Sequence, residues 1–563
     1  MTDTRRTILL MVFLFSLFSI WDAWNRHNGR PGFFDPPAAQ QPVASAAAPG
    51  AASAAAGASS PAGTVTGGAA QPAVAVSELT VVSTDLLRAT LDSVGGSLVK
   101  LELLKHADAE DPKKPVVLFD RSAQHTYVAY SGLEDVPGAP GMRSAFKLAP
   151  GPRTLADGSD DLVVRYESPA DGGVKLVKQY TFVRGSYAVK VRHEVVNTGS
   201  QPVTPKLDLR LVRDNTQPAH AAPAFFGGPQ SYTGPAFYTS TAHYQKVDFK
   251  HIDENSAEYQ KNATDGWVAM VQHYFASAWV TPDALPREFY AGKSKTDPHL
   301  YEAGMRLQLG TIGPDQTKAV ESTLFAGPQE EKKLEVLAPG LELVKDYGWV
   351  TILAKPLFWL LDKIHGLVGN WGWAIILLVL LLKAAFYWLN ASAYRSMAKM
   401  KAVNPRIMEM RERLKDKPQQ MQQEMMKIYR EEKVNPLGGC LPIVVQIPVF
   451  IALYSVLLAS VEMRGAPWVL WIHDLGKPDA LFGHILTAPV GPLPLLMMGS
   501  TMLQTWLNPT PPDPVQAKLM WIMPLAFSVM FFFFPAGLVL YWLTNNLLSI
   551  AQQWFINKRL GVN

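Results

Sequence analysis

The stretch that most constrains this chain runs from Trp371 to Asn390, with the sequence WGWAIILLVLLLKAAFYWLN. At ~1.5 Å per residue, a helix of this length spans ~29 Å, about the thickness of a hydrocarbon core. The stretch therefore predicts a transmembrane helix. Lys383 interrupts it ~10 Å from its far end, and an ionisable side chain at that depth either serves a function or extends to the nearer headgroups. The residues of this stretch leave both interpretations open.

The length and composition of the chain limit the class of protein. With 563 residues it is too long for a single hydrophobic core, so several domains are expected. The formal net charge of +4 does not indicate a nucleic-acid partner. Cys440 is the single cysteine of the chain, which excludes internal disulfides and zinc sites built from several cysteines.

The first 75 residues predict an anchor and a flexible connection. The run from Thr7 to Ile20 is apolar and follows Arg5 and Arg6, and no small-residue cleavage site comes closely after it. Residues 1–24 are therefore predicted to form a retained transmembrane anchor with its N-terminus in the cytoplasm. Residues 25–75 are rich in Ala, Pro, Gly and Ser, which predicts a disordered linker.

Residues 76–335 show the alternation of apolar and polar side chains that is typical of β-strands. From Tyr187 to Val195 every second residue points to one face, with charged residues between, and in 206–211 the leucines alternate with Lys206, Asp208 and Arg210. This pattern predicts antiparallel sheets with one buried face, assembled into a large β-sandwich. Because the anchor enters the membrane from the cytoplasm, this domain is expected on the opposite side.

The β-domain sequence contains no persuasive catalytic or metal motif. The tripeptide from Gly292 to Ser294 resembles the end of a P-loop, but the first glycine of that motif would fall at Arg287. No HExxH, GxSxG or paired-histidine spacing is found. The following aromatic residues predict either ordinary packing under loops or a sugar-stacking platform: Phe225, Phe226, Tyr232, Phe237, Tyr238 and Tyr244. The sequence therefore predicts no enzyme activity and no cofactor.

Residues 336–556 predict a helical membrane domain. Pro356 is expected to begin a short helix, 356–366, on the outer membrane surface. The predicted spans that follow are 371–390, 437–461, 491–507, 519–534 and 538–556. With the anchor they make six transmembrane helices with both termini in the cytoplasm, and residues 557–563 form a short basic tail.

The predicted span 437–461 contains Pro442 and Pro448, with Gln446 between them. Each proline leaves a backbone carbonyl without its helical partner, which lipid cannot satisfy. This span is therefore expected to border a wet or packed interior.

Residues 392–434 predict a cytoplasmic helical hairpin. They carry eleven Lys or Arg against six Asp or Glu between two apolar spans, which places them in the cytoplasm by the positive-inside rule. Methionines recur at helical spacing, including Met397, Met400, Met410, Met421 and Met425. This stripe predicts the core of the hairpin, and it is also compatible with a surface that receives varied hydrophobic partners.

Four motifs resemble those of a known family: Ser396–Met400 (SMAKM), Glu431–Tyr454 (EEKVNPLGGCLPIVVQIPVFIALY), Trp471–Leu475 (WIHDL) and Phe534–Tyr541 (FPAGLVLY). With these motifs the chain resembles the YidC/Oxa/Alb family of membrane-protein insertases, in the bacterial form with a large periplasmic domain. The resemblance covers essentially the whole chain. It implies a polytopic α-helical membrane protein, with five helices forming an insertase core, plus a large periplasmic antiparallel β-sandwich of the supersandwich type.

The family resemblance also implies a hydrophilic groove that is open to the cytoplasm and to lipid. It places Lys383 where the family carries the positive charge of the groove, generally an arginine, which favours a functional Lys383. Lysine differs from arginine in presenting a compact charge instead of a bidentate fork. The remaining groove residues implied by this comparison are Gln446, Tyr541, Trp542, Asn545 and Asn546. For the three amides, hydrogen bonding between helices is an alternative.

The function implied by the resemblance is that of an inner-membrane insertase and chaperone, without bond chemistry. It would move hydrophobic segments of nascent proteins from the cytoplasm into the membrane, alone or with the Sec translocon. The implied partners are nascent membrane proteins, the ribosome, the Sec translocon and membrane lipids, with no specific nucleic-acid recognition.

Two other classes are compatible with parts of the sequence. A membrane-anchored periplasmic protein that binds or processes carbohydrate would account for the β-domain, but not for the methionine-rich hairpin or Lys383. A proton-coupled transporter would need an acidic residue within the membrane, and the last five predicted spans contain none at depth.

Overall fold

The computed structural model describes residues 77–108, 111–122, 124–216, 232–414, 417–432, 441–485, 488–508 and 514–560. The predicted anchor and linker, Cys440 and the aromatic pair Phe225 and Phe226 lie outside these ranges. Contacts divide the chain into one unit of residues 1–73 with 510–522 and a second unit of residues 74–509 with 523–563. Of the first unit the structure describes residues 514–522, the first half of one helix.

The predicted β-sandwich is confirmed, and the alternation of side chains explains how it forms. Tyr187, Val189, Val191 and Val195 are all at most 5% exposed, whereas Lys190 and its charged neighbours point outward. The strands are β1 (Leu79–Ser83), β2 (Leu87–Asp92), β3 (Ser97–Ala107), β4 (Pro115–Arg121), β5 (Thr126–Glu134), β6 (Lys147–Leu148), β7 (Asp161–Glu167), β8 (Val174–Val183), β9 (Ala188–Asn197), β10 (Lys206–Asp214), β11 (Gly234–Thr239), β12 (His243–Lys246), β13 (Asn262–Ala263), β14 (Trp267–Val271), β15 (Phe275–Val280), β16 (Arg287–Lys293), β17 (Leu300–Gln308), β18 (Thr317–Pro328), β19 (His484–Ile485) and β20 (Ala488–Pro489).

Two nine-stranded antiparallel sheets make up the sandwich. Their strand orders are β1-β2-β3-β4-β5-β10-β17-β16-β13 and β12-β11-β14-β15-β18-β9-β8-β7-β6. The inward side chains of both sheets form one apolar core, with Leu209 and Met305 from the first sheet and Val189 and Trp279 from the second, each at most 1% exposed. β19 and β20 form a separate two-stranded ribbon in the loop region after residue 460.

Asp208 alternates with the core leucines and lies on the opposite face of its sheet, yet it is fully buried. Arg210 donates a hydrogen bond to its carboxylate at 2.6 Å, and the hydroxyl of Tyr290 donates another at 2.7 Å. Burial raises the pKa of Asp208 to about 6. The face opposite the core is thus covered locally by its own network of polar side chains.

The helices are α1 (Phe249–Asp253), α2 (Glu331–Leu337), α3 (Thr351–Val368), α4 (Trp371–Ala385), α5 (Tyr387–Arg413), α6 (Pro418–Glu431), α7 (Leu441–Ala459), α8 (Pro492–Leu507), α9 (Pro514–Met530) and α10 (Ala536–Leu560). Five of them meet in a second apolar core, to which α3, α4, α7, α8 and α10 contribute Leu361, Ile375, Leu453, Leu493 and Val539, each at most 2% exposed.

The helix predicted for 356–366 is longer than the sequence indicated. It runs from Thr351 to Val368, and Pro356 lies inside it rather than at its start. The proline ring removes only the hydrogen bond that the carbonyl of Ile352 would have accepted, so one more turn forms before it.

The span predicted as one helix from Trp371 to Asn390 is broken. α4 ends at Ala385, α5 begins at Tyr387, and the two axes differ by 69°. No proline or glycine lies between Leu380 and Asn390, so the sequence contains none of the usual signals for a break.

Among the residues that the structure describes, no single helix combines the length and hydropathy needed to cross a membrane. The bent pair of α4 and the first part of α5, Tyr387–Met400, satisfies the criterion only when its two segments are taken together. The predicted count of six transmembrane helices is therefore not confirmed.

Close polar contacts join the β-domain side of the chain to the helices. The ammonium of Lys345 contacts both carboxylate oxygens of Glu462 at 3.1 Å and lies 3.7 Å from the ring centre of Phe358. Burial lowers the pKa of His273 to about 4, so its ring is neutral and Nε2 donates to the carbonyl of Leu458 at 3.1 Å. The contacts of Lys345 connect the segment after the sandwich to α3 and to the residues that follow α7, and the contact of His273 connects the β14–β15 turn of the sandwich to the end of α7.

Candidate functional site

Lys383 lies on α4, one turn before the break. Asn370 caps the start of this helix by accepting a hydrogen bond from the backbone nitrogen of Trp373 at 3.2 Å. At the other end, the Lys383 ammonium donates to the hydroxyl of Ser549 on α10 at 2.7 Å. The lysine side chain therefore points across to a neighbouring helix.

Lys383 borders an open cavity of about 410 Å³. Three sections of the chain line it, namely the α4–α5 break, α7 and α10. The lining residues are Val379, Leu382, Lys383, Phe386, Leu389, Asn390, Val445, Gln446, Val449, Tyr541 and Asn545. None of these residues is an aspartate or glutamate, so within the described part of the chain no carboxylate of the lining balances the charge of Lys383.

Polar groups of the cavity are linked between helices. Gln446 on α7 donates from Nε2 to the side-chain oxygen of Asn545 on α10 at 3.1 Å. The structure therefore shows the interhelical hydrogen bond that was the alternative for these amides, and at the same time it places both in the cavity lining. Tyr541 lies one turn before Asn545 and completes a polar stripe on α10.

Two of the residues grouped with the groove by sequence lie elsewhere. Trp542 stacks on Phe450 with ring centres 4.4 Å apart and packs edge-on against Phe531. Asn546 is buried and donates to the hydroxyl of Ser500 on α8 at 2.9 Å. Each follows a lining residue by one position, and one helical step of ~100° rotates it away from the cavity.

Ser549 is a polar contact of the site that the sequence analysis missed. It lies four residues after Asn545 and eight after Tyr541, so the helical repeat places it on the same stripe of α10. This spacing of four and eight residues is the feature of the sequence that could have identified Ser549. A serine in an apolar helix attracts less attention than an amide, because its hydroxyl is usually satisfied by its own backbone.

The named methionines occupy different places in the hairpin formed by α5 and α6. Met410 is buried with Val403, Ile407 and Ile428, and Met400, Met421 and Met425 are half-buried against this cluster. Met397 is also half-buried, nearer the start of α5, and lies outside that cluster. The stripe therefore forms the hairpin core, whereas Met408 and Met426 are about half exposed.

The end of the helical core away from Lys383 is tied together by the loop 464–491. Asp479 accepts hydrogen bonds from the backbone nitrogen of Leu493 at 2.8 Å and from the indole of Trp471 at 3.1 Å. The backbone nitrogen of Gly537 donates to the carbonyl of Leu475 at 2.9 Å. The loop thereby fixes the starts of α8 and α10.

Comparison with known proteins agrees with this architecture. The family model of the YidC periplasmic domain matches residues 79–360, and that of the 60Kd inner membrane protein matches residues 363–562. The membrane protein insertase YidC of Burkholderia multivorans is 52% identical over 566 residues, and that of Herminiimonas arsenicoxydans is 50% identical over 575 residues, with 99% of both chains covered in each case.

Among solved structures, the chain is similar to an active YidC insertase crystallised with its first transmembrane domain resolved. The sequence identity is 20% and the TM-score is 0.38, over 85% of this chain and 94% of the other. The sequence matches along nearly the whole chain establish the family to which it belongs. The chain belongs to the YidC family of membrane protein insertases.

Proposed function

We propose that this protein inserts hydrophobic segments of newly made proteins into the inner membrane, and that the cavity beside Lys383 receives the polar flank of the client. The observation that carries this proposal is a lysine in an apolar helix, beside a cavity whose described lining residues include no carboxylate, in a chain whose relatives are named membrane protein insertases. The activity is a physical transfer, in which no bond of the client is made or broken.

The mechanism follows from the cost of moving polar groups through lipid. A hydroxyl or amide that loses water without gaining a partner costs about 2–7 kcal/mol, and a charge at the bilayer centre costs more than an apolar residue by at least about 2.5 kcal/mol. Lys383, Gln446, Tyr541 and Asn545 offer donors and acceptors part-way along this path. The apolar part of the client then leaves the cavity sideways into the lipid.

The hairpin of α5 and α6 is the proposed receiving surface for the client. Its core is held by buried methionine and aliphatic side chains, and Met408 and Met426 remain about half exposed. Methionine adapts to partners of different shape, which suits a protein that meets many hydrophobic segments. The proposed partners are nascent membrane proteins, the ribosome that delivers them, the Sec translocon and the surrounding lipids.

Purified protein in liposomes, supplied with a short single-span client and no other factor, is expected to insert that client, as measured by protease protection. Liposomes without the protein give the background. Removal of residues 76–335 tests the alternative of a protein that binds or processes carbohydrate. Under the proposed function, most of the insertion activity is expected to remain without the β-domain. Equal protection with and without the protein would contradict the proposed function.

The proposed topology has six spans, a cytoplasmic hairpin and a periplasmic β-domain. Ser200, in the turn after β9, and Gln423, on α6, are both exposed. Single cysteines at these positions, in a Cys440→Ser background, are expected to react with a membrane-impermeant maleimide from opposite sides of the membrane. Labelling of both from one side would contradict this topology.

A further inference from the structure

The side chain of Lys383 is long and flexible, yet the structure holds it in one place. Its four-carbon stem allows an ammonium group to reach headgroups along its own helix. Instead, the ammonium lies 2.7 Å from the hydroxyl of Ser549, across the helix interface. Ser549 is 5% exposed, so this contact is protected from competing solvent.

The hydrogen-bond roles at Ser549 are fixed by the chemistry of its neighbours. The serine proton is donated to the carbonyl of Asn545, one turn earlier, at 2.8 Å. A charged ammonium has three donors and no acceptor, so the serine oxygen accepts from it. Ser549 also forms a side-chain hydrogen bond with Tyr394 of α5, which the second lone pair of the serine oxygen can accept. Among the described residues, the hydroxyl of Ser549 is the acceptor found for the Lys383 ammonium, so two of its N–H donors remain for other acceptors.

We propose that Ser549 is a positioning residue that keeps the Lys383 ammonium beside the cavity, where its two remaining donors bind a carboxylate group of the client. This inference rests on the proposed function, because it assigns a role within the same site. It also gives the reason why the lysine does not extend to the headgroups. A serine to alanine change removes the acceptor and frees the side chain to do so.

The test uses the full-length protein in liposomes with two clients that differ only in the charge of a short translocated flank, acidic in one and neutral in the other. Ser549→Ala is expected to lower insertion of the acidic client about threefold to tenfold, within the range for loss of one typical intramolecular hydrogen bond, and to leave the neutral client unchanged. Ser549→Thr restores the hydroxyl and is expected to restore insertion.

The matched control is Thr544→Ala on the same helix. The hydroxyl of Thr544 also bonds to the carbonyl one turn earlier, that of Leu540, at 2.8 Å, and Thr544 is not among the residues that line the cavity. This variant is expected to insert both clients as the unaltered protein does. A loss shared by Ser549→Ala and Thr544→Ala, for both clients, would show that Ser549 only supports the helix.

A double variant separates positioning from an independent effect. If Ser549 acts through Lys383, then adding Ser549→Ala to Lys383→Ala lowers insertion of the acidic client no further than Lys383→Ala alone. Additive losses overturn the proposal, and so does normal insertion by Ser549→Ala when Lys383→Ala is impaired. If the unaltered protein inserts neither client above background, it is the proposed function that fails.

Discussion

Lys383→Glu is expected to lower insertion of a client with an acidic flank about 60-fold to 300-fold, because a misplaced charge within the membrane costs about 2.5–3.5 kcal/mol and each 1.4 kcal/mol is a factor of ten. The glutamate repels the client carboxylate and leaves the Ser549 hydroxyl without its donor. Lys383→Arg keeps the charge and is expected to retain insertion. Protease protection in liposomes, at equal protein levels, measures the effect.

The control for this charge reversal is Lys399→Glu, because Lys399 is exposed on α5 and does not line the cavity. The same change of charge at that site is expected to affect both clients little. If Lys383 merely extends to the headgroups, Lys383→Ala is neutral and client charge has no influence. Full activity of both Lys383→Ala and Lys383→Glu would exclude a role for this charge in insertion.

The helical repeat accounts for much of the site that the sequence predicted. Helical spacing predicts Ile376, Val379 or Leu380, Phe386 or Tyr387, and Asn390 near the face of Lys383. Of these residues, Val379, Phe386 and Asn390 line the cavity, whereas Ile376, Leu380 and Tyr387 are not among the lining residues. The chain bends by 69° between Val379 and Asn390, yet Asn390 remains in the lining. Local spacing therefore identified three of these neighbours, although it assumed the wrong helix shape.

Spacing within one helix does not show which neighbouring helix a residue faces. Tyr541 and Trp542 are adjacent, and both are bulky aromatic residues suited to a groove. Tyr541 lines the cavity together with residues of α7, whereas Trp542 packs against Phe450 of α7 and against Phe531 and Phe534. These partners come from other parts of the chain. Such contacts between distant segments explain why the sequence named both residues and only one lines the cavity.

The β-domain shows the same division between local pattern and distant contacts. Lys178 takes an inward position in the alternation of β8, between Leu176 and Tyr180, and is fully buried. Its ammonium donates to the carbonyls of Gly95 and Ser131, at 2.5 and 2.6 Å, and burial lowers the pKa of Lys178 to about 7. The period of two predicts the direction of this side chain, but these two acceptors come from a distant part of the sheet pair.

Glu462→Ala is expected to loosen the connection between the β-domain and the helices by about 3–5 kcal/mol, the usual cost of removing one partner of a buried ion pair. The side chain of Lys345 is 0% exposed and that of Glu462 is 20% exposed, so loss of the carboxylate leaves a buried ammonium without its hydrogen-bonded partner. The charge of Glu331 still acts on Lys345 and offsets part of this loss. The aromatic ring of Phe358, 3.7 Å away, compensates only part of this loss.

Hydrogen–deuterium exchange of the full-length protein measures the loss locally, which avoids assuming that the whole chain unfolds in one step. Amides of residues 341–350 are expected to exchange about 100-fold to 4,000-fold faster in Glu462→Ala. The matched control is Lys332→Ala, which removes an ion pair between α2 and Asp362 of α3 whose lysine is 71% exposed. An exposed pair contributes about 1 kcal/mol or less, so exchange changes by no more than about fivefold.

The double variant Lys345→Met/Glu462→Leu tests the physical reason for the effect. Removing both charges also removes the buried ammonium, and apolar replacements of a buried ion pair are often close to neutral in stability. This variant is therefore expected to exchange more slowly than Glu462→Ala at residues 341–350. If all three variants exchange at the rate of the unaltered protein, the ion pair of Lys345 and Glu462 does not hold the segment after the sandwich to the residues that follow α7.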